Sequence, residues 1–479
     1  MVTNKVALLA LSNKSSPLCV KLWGQRPQTV GLGLNIVCPN TLQFTEFPEE
    51  NNPTMVSGDC TSYGGTSAPI KLTLTHSRSY NQQLKQHYLP ISSEISPSSE
   101  QIAGSEDLLT EIFLRLPPKS LLRFQCVSKH WLSLISSTYF HRLHTRRNAA
   151  SSASTVGVFL CRHPNYDFLS LHEERLSSMG RIYDRLSDAR DGKVLSNISS
   201  CNGLLCLGFK SDDAKTEFYL YNLTTGHHRF IPVPEGMVVK SMNLAFDPKR
   251  SGDYDVVCVW LSVSENQLRF SVYSSASGIW RHSTEYCNAN VELCCYRGVY
   301  WKGAVHWFSQ TAPFLCFQVD SCEFKSMPST QIPQGQWYRN IEYFGESGGH
   351  LHLIEIHKPQ DIEFDILELK SDYSQWVVKY HVNLEFLTSL YPAMVNQEMY
   401  PPEDYNFPYA FTALCFIADE ENRARLLISI PGKIILYEIH SGSVKELADI
   451  KPESFRLFIG GARYDCFDAY THVESLAFV

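Results

Sequence analysis

A small all-α unit of three short helices, followed by a large all-β domain built as a six-bladed β-propeller, is the fold class this sequence predicts. Composition changes sharply at Ser105, where a polar, proline-bearing stretch gives way to apolar residues at helical spacing. From about Val156 the period changes from 3.6 to 2. Glycine-bearing elements then recur at a spacing near fifty, the size of a four-stranded blade.

Residues 1–104 read as a leader without lasting periodicity, rich in Ser, Thr, Asn, Pro and Gly, as in Asn51-Asn52-Pro53-Thr54. Its start is basic, which suits an organelle transit peptide, but Arg26 is the sole arginine before Arg78, which suits a disordered leader better. Ser105 can cap a helix whose first turn holds Glu106 and Asp107 against the positive end of the dipole. Leu108, Leu109, Ile112 and Leu116 then share one face, and Pro117-Pro118 stops the helix. A second helical pattern begins at Ser120, with Leu121, Leu122, Phe124, Val127, Trp131 and Ile135 apolar. The unit, residues 105–147, is too small to bury its own apolar surface.

Residues 156–479 form the predicted β domain. Alternation appears in Leu204-Leu205-Cys206-Leu207, Phe218-Tyr219-Leu220-Tyr221 and Leu351-His352-Leu353-Ile354, with turn residues between the runs. One repeated element reads Gly203-Leu204-Leu205, Gly303-Ala304-Val305 and Gly349-His350-Leu351. A second places a turn glycine five residues after a tyrosine: Tyr221 and Gly226, Tyr273 and Gly278, Tyr437 and Gly442. Phe317 and Cys322 occupy the same place without the glycine. The degenerate repeat also leaves a β-sandwich or a pair of barrels open.

The chain of 479 residues carries a net charge of −7, and the acidic excess falls after residue 148. An acidic large domain argues against nucleic acid as a ligand, and no apolar run is long enough to span a bilayer. Fifteen cysteines without a secretory signal fit a reducing compartment, the cytoplasm or nucleus. Neither Cys201/Cys206 nor Cys294/Cys295 has zinc-site spacing, so neither a metal nor a cofactor is expected.

The run Glu106-Asp107-Leu108-Leu109-Thr110-Glu111-Ile112-Phe113-Leu114-Arg115-Leu116-Pro117, then Lys119-Ser120-Leu121-Leu122-Arg123-Phe124-Gln125-Cys126-Val127-Ser128-Lys129-His130-Trp131, resembles the F-box. Ser105-Glu106 stands where that family usually has Leu-Pro. The resemblance implies binding to a Skp-type adaptor and, through it, to cullin and a RING subunit. It also implies adaptor contact by Leu108, Leu109, Ile112, Leu116, Pro117, Leu121, Leu122, Val127, Trp131 and Ile135, with Trp131 as the anchor. The alternative for these residues is an internal helical hairpin docked on the β domain. Ser200-Cys201-Asn202-Gly203-Leu204 and Gly298-Val299-Tyr300-Trp301-Lys302-Gly303-Ala304-Val305-His306-Trp307 resemble the kelch-related, F-box-associated region. The implied function is a non-enzymatic substrate receptor of an SCF-type ubiquitin ligase. A kelch-like scaffold without ligase activity, or a propeller enzyme on a small polar ligand, are the other readings.

Gly345-Glu346-Ser347-Gly348-Gly349 fits the nucleophile-elbow pattern, but the residues after it alternate like a strand, so Ser347 is expected in a β-turn. His350 and His352 would share one face of a strand, with no third metal ligand to be named from sequence. The unknown protein substrate is expected on inter-strand loops at one end of the domain. The proline- and tyrosine-rich stretch 391–409, with Tyr400 and Tyr405, is the candidate loop.

Overall fold

The computed structural model describes residues 105–150 and, apart from a number of connections, 155–479; before residue 105 it describes three strands alone. Those strands are β1 (Leu8–Asn13), β2 (Ser16–Leu22) and β3 (Leu34–Ile36), paired antiparallel in that order. They stand where the sequence showed no sustained period. The rest of the expected leader lies outside the described residues.

The helical unit has four helices, not the three expected: α1 (Glu106–Phe113), α2 (Pro118–Phe124), α3 (Lys129–Ile135) and α4 (Thr138–Ala150). Serine divides the chain here. Ser105 Oγ accepts from Leu108 N at the start of α1, and Ser128 Oγ accepts from Trp131 N at 3.1 Å to start α3. Ser137 Oγ accepts from Phe140 N at 3.1 Å, which caps α4 and separates it from α3. Pro118 takes the first turn of α2, where its missing N–H costs nothing.

Six four-stranded antiparallel sheets follow among the described residues, matching the predicted six-bladed propeller. The first blade combines β4 (Gly157–Arg162), β5 (Asn165–Ser170) and β6 (Arg175–Ser178) with β27 (Ala469–His472), which pairs with β4 and closes the ring. The second is β7 (Val194–Cys201), β8 (Leu204–Lys210), β9 (Thr216–Asn222) and β10 (His228–Ile231). The third is β11 (Val238–Ala245), β12 (Asp255–Ser262), β13 (Gln267–Ser274) and β14 (Ile279–Asn288). The fourth is β15 (Val299–Trp301), β16 (Ala304–Trp307), β17 (Leu315–Gln318) and β18 (Glu323–Lys325). The fifth is β19 (Asn340–Ser347), β20 (His350–Ile356), β21 (Glu363–Leu369) and β22 (Trp376–Asn383). The sixth is β23 (Thr412–Ala418), β24 (Ala424–Ile430), β25 (Lys433–Glu438) and β26 (Val444–Asp449).

The innermost strands β7, β11, β15, β19, β23 and β27 contact one another in cyclic order around a central channel. Each is a sheet edge with backbone N–H groups that its own blade leaves unpaired. Side chains of the neighbouring blade accept from them. Met242 N and Leu244 N donate to Asn197 Oδ1 and Ser199 Oγ at 3.3 and 3.0 Å. Gly298 N donates to Asn243 Oδ1 at 2.8 Å, and Ala418 N to Ser347 Oγ at 2.9 Å. Ser200 Oγ donates to Thr471 O at 2.6 Å across the closing seam. Apolar side chains between blades supply the burial, as in the cluster of Phe270, Trp307 and Phe317.

Candidate functional site

The propeller presents two ends of different character. At one, the innermost strands β7, β15 and β19 turn back through two-residue hairpins, with Asn202 and Gly203 both at positive φ, as are Lys302 and Gly303, and Gly348 and Gly349. Those hairpins are the first repeated element of the sequence, and their twist matches the flanking strands. At the opposite end lie the connections between blades. The longest of them holds helix α5 (Glu385–Leu390) and a 3₁₀ turn, Pro392–Met394.

The helical unit is fastened to the hairpin end. Helix α4 precedes β4 in the chain, and Gly157 of β4 pairs with His472 at the close of β27. Lys119 Nζ lies 2.6 Å from Glu474 Oε1, and Arg142 pairs with Asp253 at 3.5 Å. Arg142 also lies flat on Gly252, where a Cβ would stand 2.8 Å from its Cγ. His141 is buried here, and burial together with His227 keeps it toward the neutral form.

The ten residues implied by the resemblance fall into three groups by exposure. Leu109, Leu116, Leu121, Trp131 and Ile135 are buried, with Trp131 only 4% exposed. Trp131 stacks edge-on with Phe113 at 4.8 Å and lies 5.5 Å from Phe124, so it is a core residue of the helical unit. Phe113 is the centre of that cluster, with Phe140 6.4 Å away, and the sequence reading passed over it. Its place four residues before Pro117, at the close of α1, was the available signal. Leu108 and Pro117 are exposed, and Ile112, Leu122 and Val127 are half-buried. Leu132 at 46% and Tyr139 at 71% exposure add apolar surface that the sequence reading did not assign. Tyr400 and Tyr405 lie outside the described residues. The ends of their stretch are described: Val395 bridges to Tyr409, and Phe386 and Leu390 of α5 are exposed.

Ser347 ends β19 and is followed by a hairpin and β20, so the strand–turn–helix context of an elbow is absent. Its hydroxyl is occupied by Ala418 N. His350 and His352 on β20 both approach Glu368, at 3.4 and 3.5 Å, and Lys379 Nζ reaches the same carboxylate at 3.1 Å. Hydrogen bonding from His352 is the main cause that holds the Glu368 carboxyl down at about 2. Among the described residues no group of three or more His, Cys, Asp or Glu side chains could hold a metal ion. No described helix is long and apolar enough to cross a membrane.

Residues 105–143 match the F-box domain, and residues 165–344 match the F-box associated beta propeller domain. The F-box protein At5g07610 of Arabidopsis thaliana is 30% identical over 381 residues, which cover 74% of this chain and 88% of that protein. This chain belongs to the F-box protein family. The F-box/kelch-repeat protein At3g23880 of Arabidopsis thaliana is 26% identical over 242 residues, 46% of this chain and 64% of its own length. The F-box protein At5g03970 of the same plant is 23% identical over 320 residues, 63% of this chain and 74% of its own. In this F-box protein the two matched regions fall on the helical unit and on the propeller.

Proposed function

We propose that this F-box protein is the substrate receptor of an SCF-type ubiquitin ligase. Its exposed helical surface binds a Skp-type adaptor and, through it, cullin and a RING subunit, while its inter-blade loops bind a target protein. The observation that carries this is the placement of the helices at the hairpin end, away from the long connections. A body with its adaptor surface at one end and its loops at the other holds a target toward the conjugating enzyme. That raises effective concentration without any bond chemistry by the receptor. The channel wall supports a receptor rather than an enzyme, because among the described residues it mixes aromatic, polar and basic side chains such as Tyr300, Trp301, Ser199 and Arg425 with Asp247 and Glu346 and includes no histidine. The described cysteines are free, which suits work in the cytoplasm or nucleus.

The target side is tested by capture from cells with the full chain. Phe386→Ala with Leu390→Ala, and separately Tyr400→Ala with Tyr405→Ala, should reduce target capture while adaptor binding and melting temperature hold. Capture unchanged in both pairs would place the target elsewhere and contradict this reading.

A further inference from the structure

Beneath the hairpin end lies a cavity of about 530 Å³, within the range that holds a small molecule. It lies inside the ring of innermost strands at the hairpin end, with Ala149 of α4 contributing to its wall, and apart from the inter-blade loops. Its wall is unlike the rest of the domain. The β domain is acidic, yet Lys249, Arg297, Lys302 and Arg425 line this cavity against Asp247 and Glu346.

The two acids are already engaged. Asp247 Oδ1 accepts from Lys249 N at 2.9 Å, and Glu346 Oε1 accepts from Gly349 N at 2.7 Å, each closing a turn. Burial pushes the Glu346 carboxyl up, toward its neutral form. Among the cations, Lys302 lies over the Trp301 ring at 5.1 Å and reaches toward Ser371 O. Arg297 lies over Tyr470, its guanidinium 4.9 Å from the ring centre, which fixes a positive group beside a flat apolar wall. Arg425 Nε is buried and has no hydrogen-bond partner among the described residues. An unsatisfied N–H leaves this guanidinium poorly compensated, so an anion beside the part of Arg425 that lines the cavity would be stabilised by its charge.

From this juxtaposition we propose that the cavity binds a small anionic molecule with a flat apolar body. Its carboxylate or phosphate meets Arg425 and Arg297, and its body lies along the aromatic wall of Tyr470 and Tyr300. The site does not depend on the adaptor, so its test stands apart from that of the proposed function.

Titration calorimetry of the full chain with phenyl phosphate, benzoate, inorganic phosphate and benzyl alcohol tests it. Phenyl phosphate or benzoate should bind saturably at one site per chain, and the stronger of the two names the head group. Inorganic phosphate should bind at least about tenfold more weakly, and benzyl alcohol should not bind. Arg425→Gln should weaken the bound probe by about tenfold, the scale of one hydrogen bond to a charged group. Lys445→Gln, on the outer strand of the sixth blade, should change nothing. If Arg425→Gln lowers the melting temperature of the free protein, Arg297→Gln carries the same comparison. Absence of saturable binding, equal binding of inorganic phosphate, or full affinity in the arginine variants would overturn the proposal.

Discussion

Ser347 shows how a residue that looks chemical can be structural. Its hydroxyl accepts the Ala418 N–H on the edge of the next blade, as Asn197, Ser199 and Asn243 do elsewhere around the ring. Ser347→Ala should therefore cost about 1–3 kcal/mol, the penalty for an unsatisfied buried N–H. Denaturant unfolding reads that loss, and an unchanged midpoint would remove Ser347 from the ring of inter-blade bonds. Histidine acts at the same scale. Burial lowers His306 to about 4, His144 to about 4 and His472 to about 3. Between roughly pH 6.5 and 4 the unfolded chain takes up protons that the native state refuses, so stability falls as pH falls through that window. His306 shares Val299 O at 3.2 Å and Tyr373 Oη at 2.9 Å, bonds a glutamine amide can imitate. His306→Gln should flatten the fall in melting temperature between pH 7 and 4. An equally steep fall in the variant would assign the acid sensitivity to other groups.

Elements were legible where the chain repeats a backbone requirement. Gly226, Gly278 and Gly442 each take positive φ and donate N–H to the carbonyl four residues back, at 2.8 to 2.9 Å. Cys322, the exception noted in sequence, does the same at φ 59° and 3.0 Å. A side chain in that conformation costs roughly 1–2 kcal/mol, partly offset by the chain entropy a glycine would lose. Cys322→Gly should thus raise unfolding stability by about 0.5–1 kcal/mol, and a loss of stability would show that the thiol contributes more than its strain. Less legible were features fixed by distant partners. The break between α3 and α4 hangs on Ser137, which reads as one more polar helix residue until its side chain is seen to cap Phe140 N. The resemblance makes Trp131 an interface anchor because a buried aromatic can carry binding energy, but a large aromatic serves a core equally well, and here Phe113 and Phe124 cover it. Truncating it should cost about 3–5 kcal/mol of helical-unit stability, so Trp131→Ala alone is a poor probe of binding.

The whole molecule joins helices to propeller by contacts that local pattern cannot announce. β27 pairs with β4 across some three hundred residues of chain, and Lys119 reaches Glu474 over a similar separation. The blade count followed from the repeat, but the end at which the helices sit did not, since it depends on where the ring is closed. That placement gives the receptor reading its force, and the exposed residues of the helical unit test it most directly. Leu132→Asp and Leu108→Asp put a charge on surface that is already about half exposed, so the fold should survive. The decisive measurement is the affinity of the full chain for a purified Skp-type adaptor, taken alongside its melting curve. The account predicts that the double variant binds at least about tenfold more weakly with an unchanged melting temperature, because a buried, unpaired carboxylate at an interface is costly. Full adaptor affinity in a folded double variant would contradict it.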